Sequence, residues 1–157
     1  MATSSISTCL WYDGAAEEAA RFYVSLFDDA RITSVMRQSG PDGPAGPAFL
    51  VEFELAGQRY QAMNGGPTYA LSEAVSIVVL VDSQAEVDRL WSALTSEGGA
   101  ESRCGWCRDR WGLSWQIVPR MMVDAIRAGG PAAGSIIQAM MGMVKLDIAA
   151  LEAAAKG

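Results

Sequence analysis

One order of elements runs through the chain twice, and this restricts the fold more than any other feature. Residues 6–12 are short and largely apolar and read as a strand that Asp13-Gly14 breaks. Over 15–27, Ala19, Phe22, Tyr23, Leu26 and Phe27 recur at helical spacing, with Glu17 and Glu18 in the first turn, where the helix dipole favours them. A strand follows over 32–37, then a loop over 39–47 with three prolines and three glycines. Phe49, Val51, Phe53 and Leu55 alternate with Leu50, Glu52 and Glu54, which predicts a half-buried strand; Ala56-Gly57 turns it into a return strand over 59–63. Asn64-Gly65-Gly66-Pro67 ends that hairpin. The second half has strands over 74–81, 101–107 and 113–118. Its helix spans 83–95, with Val87, Leu90, Trp91 and Leu94 on one face, and Gly98-Gly99 stops it. The order reads as β-α-β-β-β, again β-α-β-β-β, then helices from Met121, interrupted at Gly129-Gly130-Pro131 and near Gly142. The helices echo each other without a gap, Ala20-Arg21-Phe22-Tyr23 against Asp88-Arg89-Leu90-Trp91, and the same register sets Thr8 opposite Ser76.

Composition narrows the chemistry. The 157 residues are 50% apolar and 19% charged, which is globular, and fit one domain or two small halves sharing a core. Lys plus Arg is 12 and Asp plus Glu is 18, a net charge of −6, which argues against a nucleic-acid partner. There are no histidines, so the commonest general base and metal ligand is missing and no Ser-His-Asp or Cys-His arrangement can form. Three cysteines, Cys9, Cys104 and Cys107, do not make a disulfide framework. Residues 1–5 do not read as a secretion signal, and the longest unbroken apolar run, 77–81, is too short to span a bilayer. A cytoplasmic protein with no membrane partner is the expectation.

Several stretches resemble the vicinal oxygen chelate superfamily, which holds glyoxalase I, bleomycin-resistance proteins and extradiol dioxygenases. They are Cys9-Leu10-Trp11-Tyr12-Asp13-Gly14-Ala15-Ala16-Glu17-Glu18-Ala19-Ala20-Arg21-Phe22-Tyr23, then Asn64-Gly65-Gly66-Pro67, then Trp106-Cys107-Arg108-Asp109-Arg110-Trp111-Gly112-Leu113-Ser114-Trp115-Gln116-Ile117-Val118-Pro119, and Met143-Val144-Lys145-Leu146-Asp147-Ile148-Ala149-Ala150-Leu151. The match is nearest to the PhnB-like branch often labelled 3-demethylubiquinone-9 3-methyltransferase. The resemblance implies an α+β fold of two βαβββ modules, about 5–66 and 73–119, with a helical tail over 120–157, in one domain over 1–157. It also implies a cup-like sheet completed in a homodimer.

In metal-using members of that superfamily, ligands come from the first and last strands of each module. Carried over by motif, these positions fall on Thr8 and Ser76, on Gln116 at the usual Glu, and on Tyr60, Gln61 or a neighbour. None is His, Asp, Glu or Cys, and neutral hydroxyls and amides are poor ligands for a divalent cation, so these positions are expected to be empty and no cofactor is expected. Glu52 could supply a carboxylate but reads more simply as an outward strand charge. Cys104-Gly105-Trp106-Cys107 has C-x-x-C spacing but lies in or beside a strand, where alternation puts the thiols on opposite faces; inert thiols are expected. Among the glycine clusters, none forms a G-x-G-x-G turn between a clear strand and a helix, so methyl transfer is the weaker reading.

Five tryptophans are many for this length. Trp11, Trp106, Trp111 and Trp115 lie on or beside predicted strands, and Trp91 lies on the second helix. They suit either a pocket for a flat small molecule or a core and dimer seam. Trp11, Asn64, Trp115 and Gln116 are the pocket candidates; the Asn64 amide either reaches into the cup or caps its turn. The tail carries Ile136, Ile137, Met140, Met141, Met143, Val144 and Leu146, too much apolar surface to face water, which adds to the expectation of a homodimer. Two functions compete: a metal-free module binding a small organic ligand, and a metal-dependent lyase, isomerase or dioxygenase-type enzyme.

Overall fold

The structure, a computed structural model, describes residues 5–39 and 46–157. The readings of residues 1–4 as no secretion signal and of 40–45 as loop lie outside the described residues. Two compact units divide the chain, Met1–Leu71 and Ser72–Gly157.

In the first unit, β1 (Thr8–Tyr12), α1 (Ala16–Ser25), β2 (Ala30–Arg37), β3 (Ala48–Leu55) and β4 (Gln58–Asn64) follow in order. The sheet order is β1-β4-β3-β2; β1 and β4 run parallel, the other pairs antiparallel. Helix α1 buries Ala16, Ala19, Ala20 and Tyr23, one stripe at helical spacing. Alanines at three of these positions let the helix lie close to the sheet. Tyr23 then joins the layers: its hydroxyl meets that of Tyr12 at 3.0 Å, and its ring lies 6.1 Å from that of Phe53. Val51, Phe53, Leu55, Leu10 and Ala62 complete this core.

Phe49 departs from the expected alternation. It is 46% exposed, whereas Ala48 is buried. The pairing passes from Met36↔Leu50 to Arg37↔Ala48, so Phe49 is the extra residue of a bulge and the inward phase shifts by one.

The second unit repeats the plan. It contains β5 (Ser76–Val81), α2 (Gln84–Thr95), β6 (Ala100–Glu101), β7 (Trp106–Arg108) and β8 (Ser114–Pro119), with sheet order β5-β8-β7-β6. The α+β expectation of two βαβββ modules therefore holds. Ser83 starts α2 by accepting from the Glu86 amide at 3.2 Å. Trp91 fixes the helix over the sheet, donating from Nε1 to Glu101 Oε1 at 2.7 Å.

The single strand expected over 101–107 is two strands. Cys104 and Gly105 take positive φ, 57° and 82°, and turn the chain between β6 and β7. Their amides donate instead to Met143 and Val144 carbonyls at 2.8 Å each. The tail thus supplies partners that a continuous ladder would have supplied. Cys104 and Cys107 consequently do not alternate along one strand: Cys104 sits on the turn and Cys107 is buried on β7.

Three helices follow, α3 (Arg120–Ala128), α4 (Pro131–Met141) and α5 (Ile148–Lys156), breaking where Gly129, Gly130 and Gly142 predicted. Met122, Ile136, Leu146 and Leu151 form a core with Val118 of β8. Gly105 is required beneath it: an added Cβ would lie 2.8 Å from Leu146 Cδ1.

The β3–β4 connection is a two-residue turn with positive φ at both Ala56 (47°) and Gly57 (78°), the hairpin geometry that favours Asn-Gly. Alanine is strained there, at a cost of roughly 1 kcal/mol. Ala56→Asn is expected to raise unfolding stability by about 0.5–1 kcal/mol, read as a higher urea midpoint at unchanged slope.

Candidate functional site

Register decides which side chains share a face. Tyr60 stacks on Phe53 at 5.3 Å, on the α1 side of the first sheet, and Thr8 pairs with Tyr60. Alternation therefore sets Thr8 and Tyr60 on the helix side and Cys9 and Gln61, the next paired residues, on the opposite face. In the second unit Glu101, Cys107 and Trp115 are paired across β6, β7 and β8, and Glu101 binds Trp91 of α2. Trp115 thus faces α2, and Gln116 and Val78, paired with each other, face away.

The strand equivalence is consequently Thr8 with Ile77 and Gln61 with Gln116, not Thr8 with Ser76. The reason is local. Three residues, 13–15, join β1 to α1, whereas two, 82–83, join β5 to α2, so the helices keep the expected offset while the strands slip by one.

The face of the first sheet opposite α1 carries three rows. The first is apolar: Trp11, Met63, Leu50 and Met36 lie side by side across all four strands. The second is Cys9, Gln61, Glu52 and Ser34. The third holds Arg59, Glu54 and Arg31. A cavity of about 300 Å³ lies here, lined among others by Ser7, Thr33, Glu52, Glu54, Arg59 and Gln61. Thr33 falls at an irregularity in β2, where the pairing steps from Ile32 to Ser34.

The polar groups differ in how fully they are matched. Glu54 is held by Arg31 and by Arg59 Nε at 3.6 Å. Glu52 accepts through Oε1 from Gln61 Nε2 at 3.0 Å, its one hydrogen bond among the described residues. Partial desolvation raises the Cys9 thiol above its usual value although the residue is exposed, and burial raises the Tyr60 phenol, which stays protonated at neutral pH on the helix side.

The four pocket candidates take different places. Trp11 lies in the apolar row, its Nε1 donating to Gly66 O at 2.8 Å and its ring meeting Tyr69 edge-on at 5.0 Å. A Cβ on Gly65 would sit 2.2 Å from the Trp11 ring, so only glycine fits beneath it. Asn64 does not cap its own turn but bridges to other elements: Oδ1 accepts from the Ala16 amide at 2.9 Å and Nδ2 donates to Ala48 O at 2.8 Å, fastening the start of α1 and the bulged start of β3 to the end of β4. Trp115 is fully buried, with Nε1 donating to Asp109 Oδ2 at 2.9 Å, so its ring reaches no open surface. Gln116 Nε2 donates to Ser76 Oγ at 2.8 Å. The cavity residues Ser7, Thr33, Glu54 and Arg59 were not singled out. The signal was available: a two-residue turn at 56–57 pairs Leu55 with Gln58, and hence Glu54 with Arg59 and Glu52 with Gln61.

The superfamily's metal does not fit these side chains. Gln116 and Ser76 are neutral and bound to each other, the residue paired with Gln116 on the neighbouring strand is Val78, and among the described residues no group of three or more His, Cys, Asp or Glu could hold an ion.

Solved structures share the fold. The PhnB protein of Bacillus cereus, carrying the label 3-demethylubiquinone-9 3-methyltransferase, is 29% identical with a TM-score of 0.65 over 74% of this chain and 99% of its own. The protein PA1353 of Pseudomonas aeruginosa is 20% identical, with a TM-score of 0.60 over 74% of this chain and 98% of its own. The fosfomycin resistance protein FosX of Listeria monocytogenes is 13% identical, with a TM-score of 0.50 over 76% and 94%. The fold is thus that of the vicinal oxygen chelate superfamily. Within it, the family model described as 3-demethylubiquinone-9 3-methyltransferase matches residues 4–118, and the chain belongs to that family. Helices α3–α5 lie beyond the matched residues. No curated protein matches.

Two outcomes follow for variants and labelling. Asn64→Ala leaves the buried Ala16 amide and Ala48 carbonyl without their partner and is expected to cost about 2–3 kcal/mol in denaturant unfolding. Burial, with Asp109 and Glu101 nearby, pushes the Cys107 thiol up to about 12. Native protein at pH 8 should therefore take up iodoacetamide at exposed Cys9 and not at Cys107, as peptide mass mapping would show. Because the folded state holds that proton more tightly than the unfolded chain, stability should also fall as pH rises from 9 toward 12.

Proposed function

We propose that this protein is a small-molecule binding module that works without a resident metal, with its ligand seated on the face of the first sheet opposite α1. In this reading residues 1–157 act as one cytoplasmic domain and two chains form a homodimer. One observation carries the proposal: the polar cavity at Glu52 and Gln61 lies directly beside the apolar row of Trp11, Met63 and Leu50. An apolar wall with a few convergent polar groups is how small-ligand sites are commonly built. The donor chemistry supports the absence of a metal, since Ser76 and Gln116 offer neutral oxygens alone and the Ser76 hydroxyl already accepts from the Gln116 amide. Methyl transfer, the activity in the family's description, gains no support from the strand-to-helix junctions: the turn from β1 to α1 is Asp13-Gly14-Ala15 and that from β5 to α2 is Asp82-Ser83, neither a glycine-rich cradle.

Elemental analysis of protein purified without chelator is expected to give divalent metal well below one ion per chain. Native mass spectrometry should show host-derived small molecules retained by the wild type and lost from Gln61→Leu. One equivalent of bound zinc, nickel, iron or manganese would overturn the reading. Light scattering at micromolar concentration should return the mass of two chains; a one-chain mass would remove the dimer.

A further inference from the structure

We propose that the ligand of this face is an organic cation, a protonated amine at Glu52 joined to a flat apolar body that lies along Trp11, Met63 and Leu50. The inference rests on the reading of this face as the ligand site. It adds the chemical class.

The argument is one of charge matching by rows. Of the two carboxylates lining the cavity, Glu54 is neutralised by arginines on both neighbouring strands, Arg31 on β2 and Arg59 on β4. Glu52, one row nearer the apolar residues, has no such cation among the described residues. Its only partner among the described residues is the neutral amide of Gln61 on Oε1, and Oε2 has none. A half-buried carboxylate held only by a neutral amide gains from a countercharge, and a ligand bearing a positive N–H group supplies both the charge and a hydrogen bond. An anionic ligand would meet Glu52 head-on, and the guanidinium that could attract it, Arg59, is shared with Glu54.

Geometry sets the size. Adjacent rows on one face are two residues apart along a strand, about 7 Å. An amine at Glu52 therefore has the Trp11–Met63–Leu50 row one step away. Tyr69 stands edge-on to Trp11 at 5.0 Å and is 66% exposed, which adds an aromatic flank to that wall. The Trp11 indole cannot swing aside easily, because its Nε1 is tied to Gly66 O and Gly65 supports its ring. Trp11 lies two strands from Glu52 and one row along, so an amine held at Glu52 reaches the indole through its apolar body, which favours an aromatic or alicyclic amine.

The test uses full-length protein and two probes of matched shape, 4-phenylbutylamine and 4-phenylbutyrate, by titration calorimetry and by protection of Cys9 from iodoacetamide. Cys9 shares the row of Glu52 and Gln61 and is exposed, so it reports on the face directly. The amine is expected to bind at least tenfold more tightly than the carboxylate and to slow Cys9 alkylation. Glu52→Gln, close to isosteric, should remove that preference while leaving the melting temperature within a few degrees, and Trp11→Phe should weaken both probes together. Tighter binding and Cys9 protection by the carboxylate would overturn the cationic class and leave the site in place. Equal binding of the two probes, or an amine preference that survives in Glu52→Gln, would also overturn the class. If neither probe shields Cys9 at millimolar concentration, both the class and the site fall.

Discussion

The contents of the open face in the first unit depend on one hairpin turn. With two residues between β3 and β4, Leu55 must pair with Gln58, and every later pair is then determined: Glu54 with Arg59, Glu52 with Gln61, Leu50 with Met63. One more residue in the turn would slip the register and send Gln61 and Arg59 to the α1 side. The same turn protects the core, because it keeps Phe53 beneath Tyr60 and against Tyr23. A small piece of backbone geometry thereby separates a dry layer from the polar face that borders the cavity.

Much of this was legible in the residues. Alternation in 49–55 and the helical stripes in 15–27 and 83–95 follow directly from burial, and the glycine breaks in the tail fell where the helices end. What failed did so for local reasons. Phe49 was assigned inward because nothing in the sequence marks a bulge, which depends on how β2 pairs. The turn at Cys104-Gly105 was invisible because its amides are satisfied by residues 143–144, some forty positions away. Thr8 was set against Ser76 because the helices align without a gap; the extra residue between β1 and α1 moves the strand phase alone. Trp115 looked like a pocket residue by type, but pairing with Cys107 turns it toward α2.

The slip in phase also changes how the two halves compare. Gln61 and Gln116 occupy equivalent places, and each amide donates to an oxygen on the neighbouring strand, Glu52 and Ser76 respectively. The two units have retained the same side chain at the same station but given it different partners. In the first unit the partner is a carboxylate that borders a cavity; in the second it is a hydroxyl. The two units thus share a plan of strands and helix, while the side chains on their open faces differ.

The helical tail has a consequence of another kind. Where β6 and β7 diverge, the amides of Cys104 and Gly105 would stand unpaired at the rim of the second sheet, an invitation to a strand from a foreign chain. Residues 143 and 144 close that rim, and Leu146, anchored over Gly105, keeps them there. The segment beyond the residues matched by the family model thereby supplies the hydrogen-bond acceptors that this turn lacks within its own sheet.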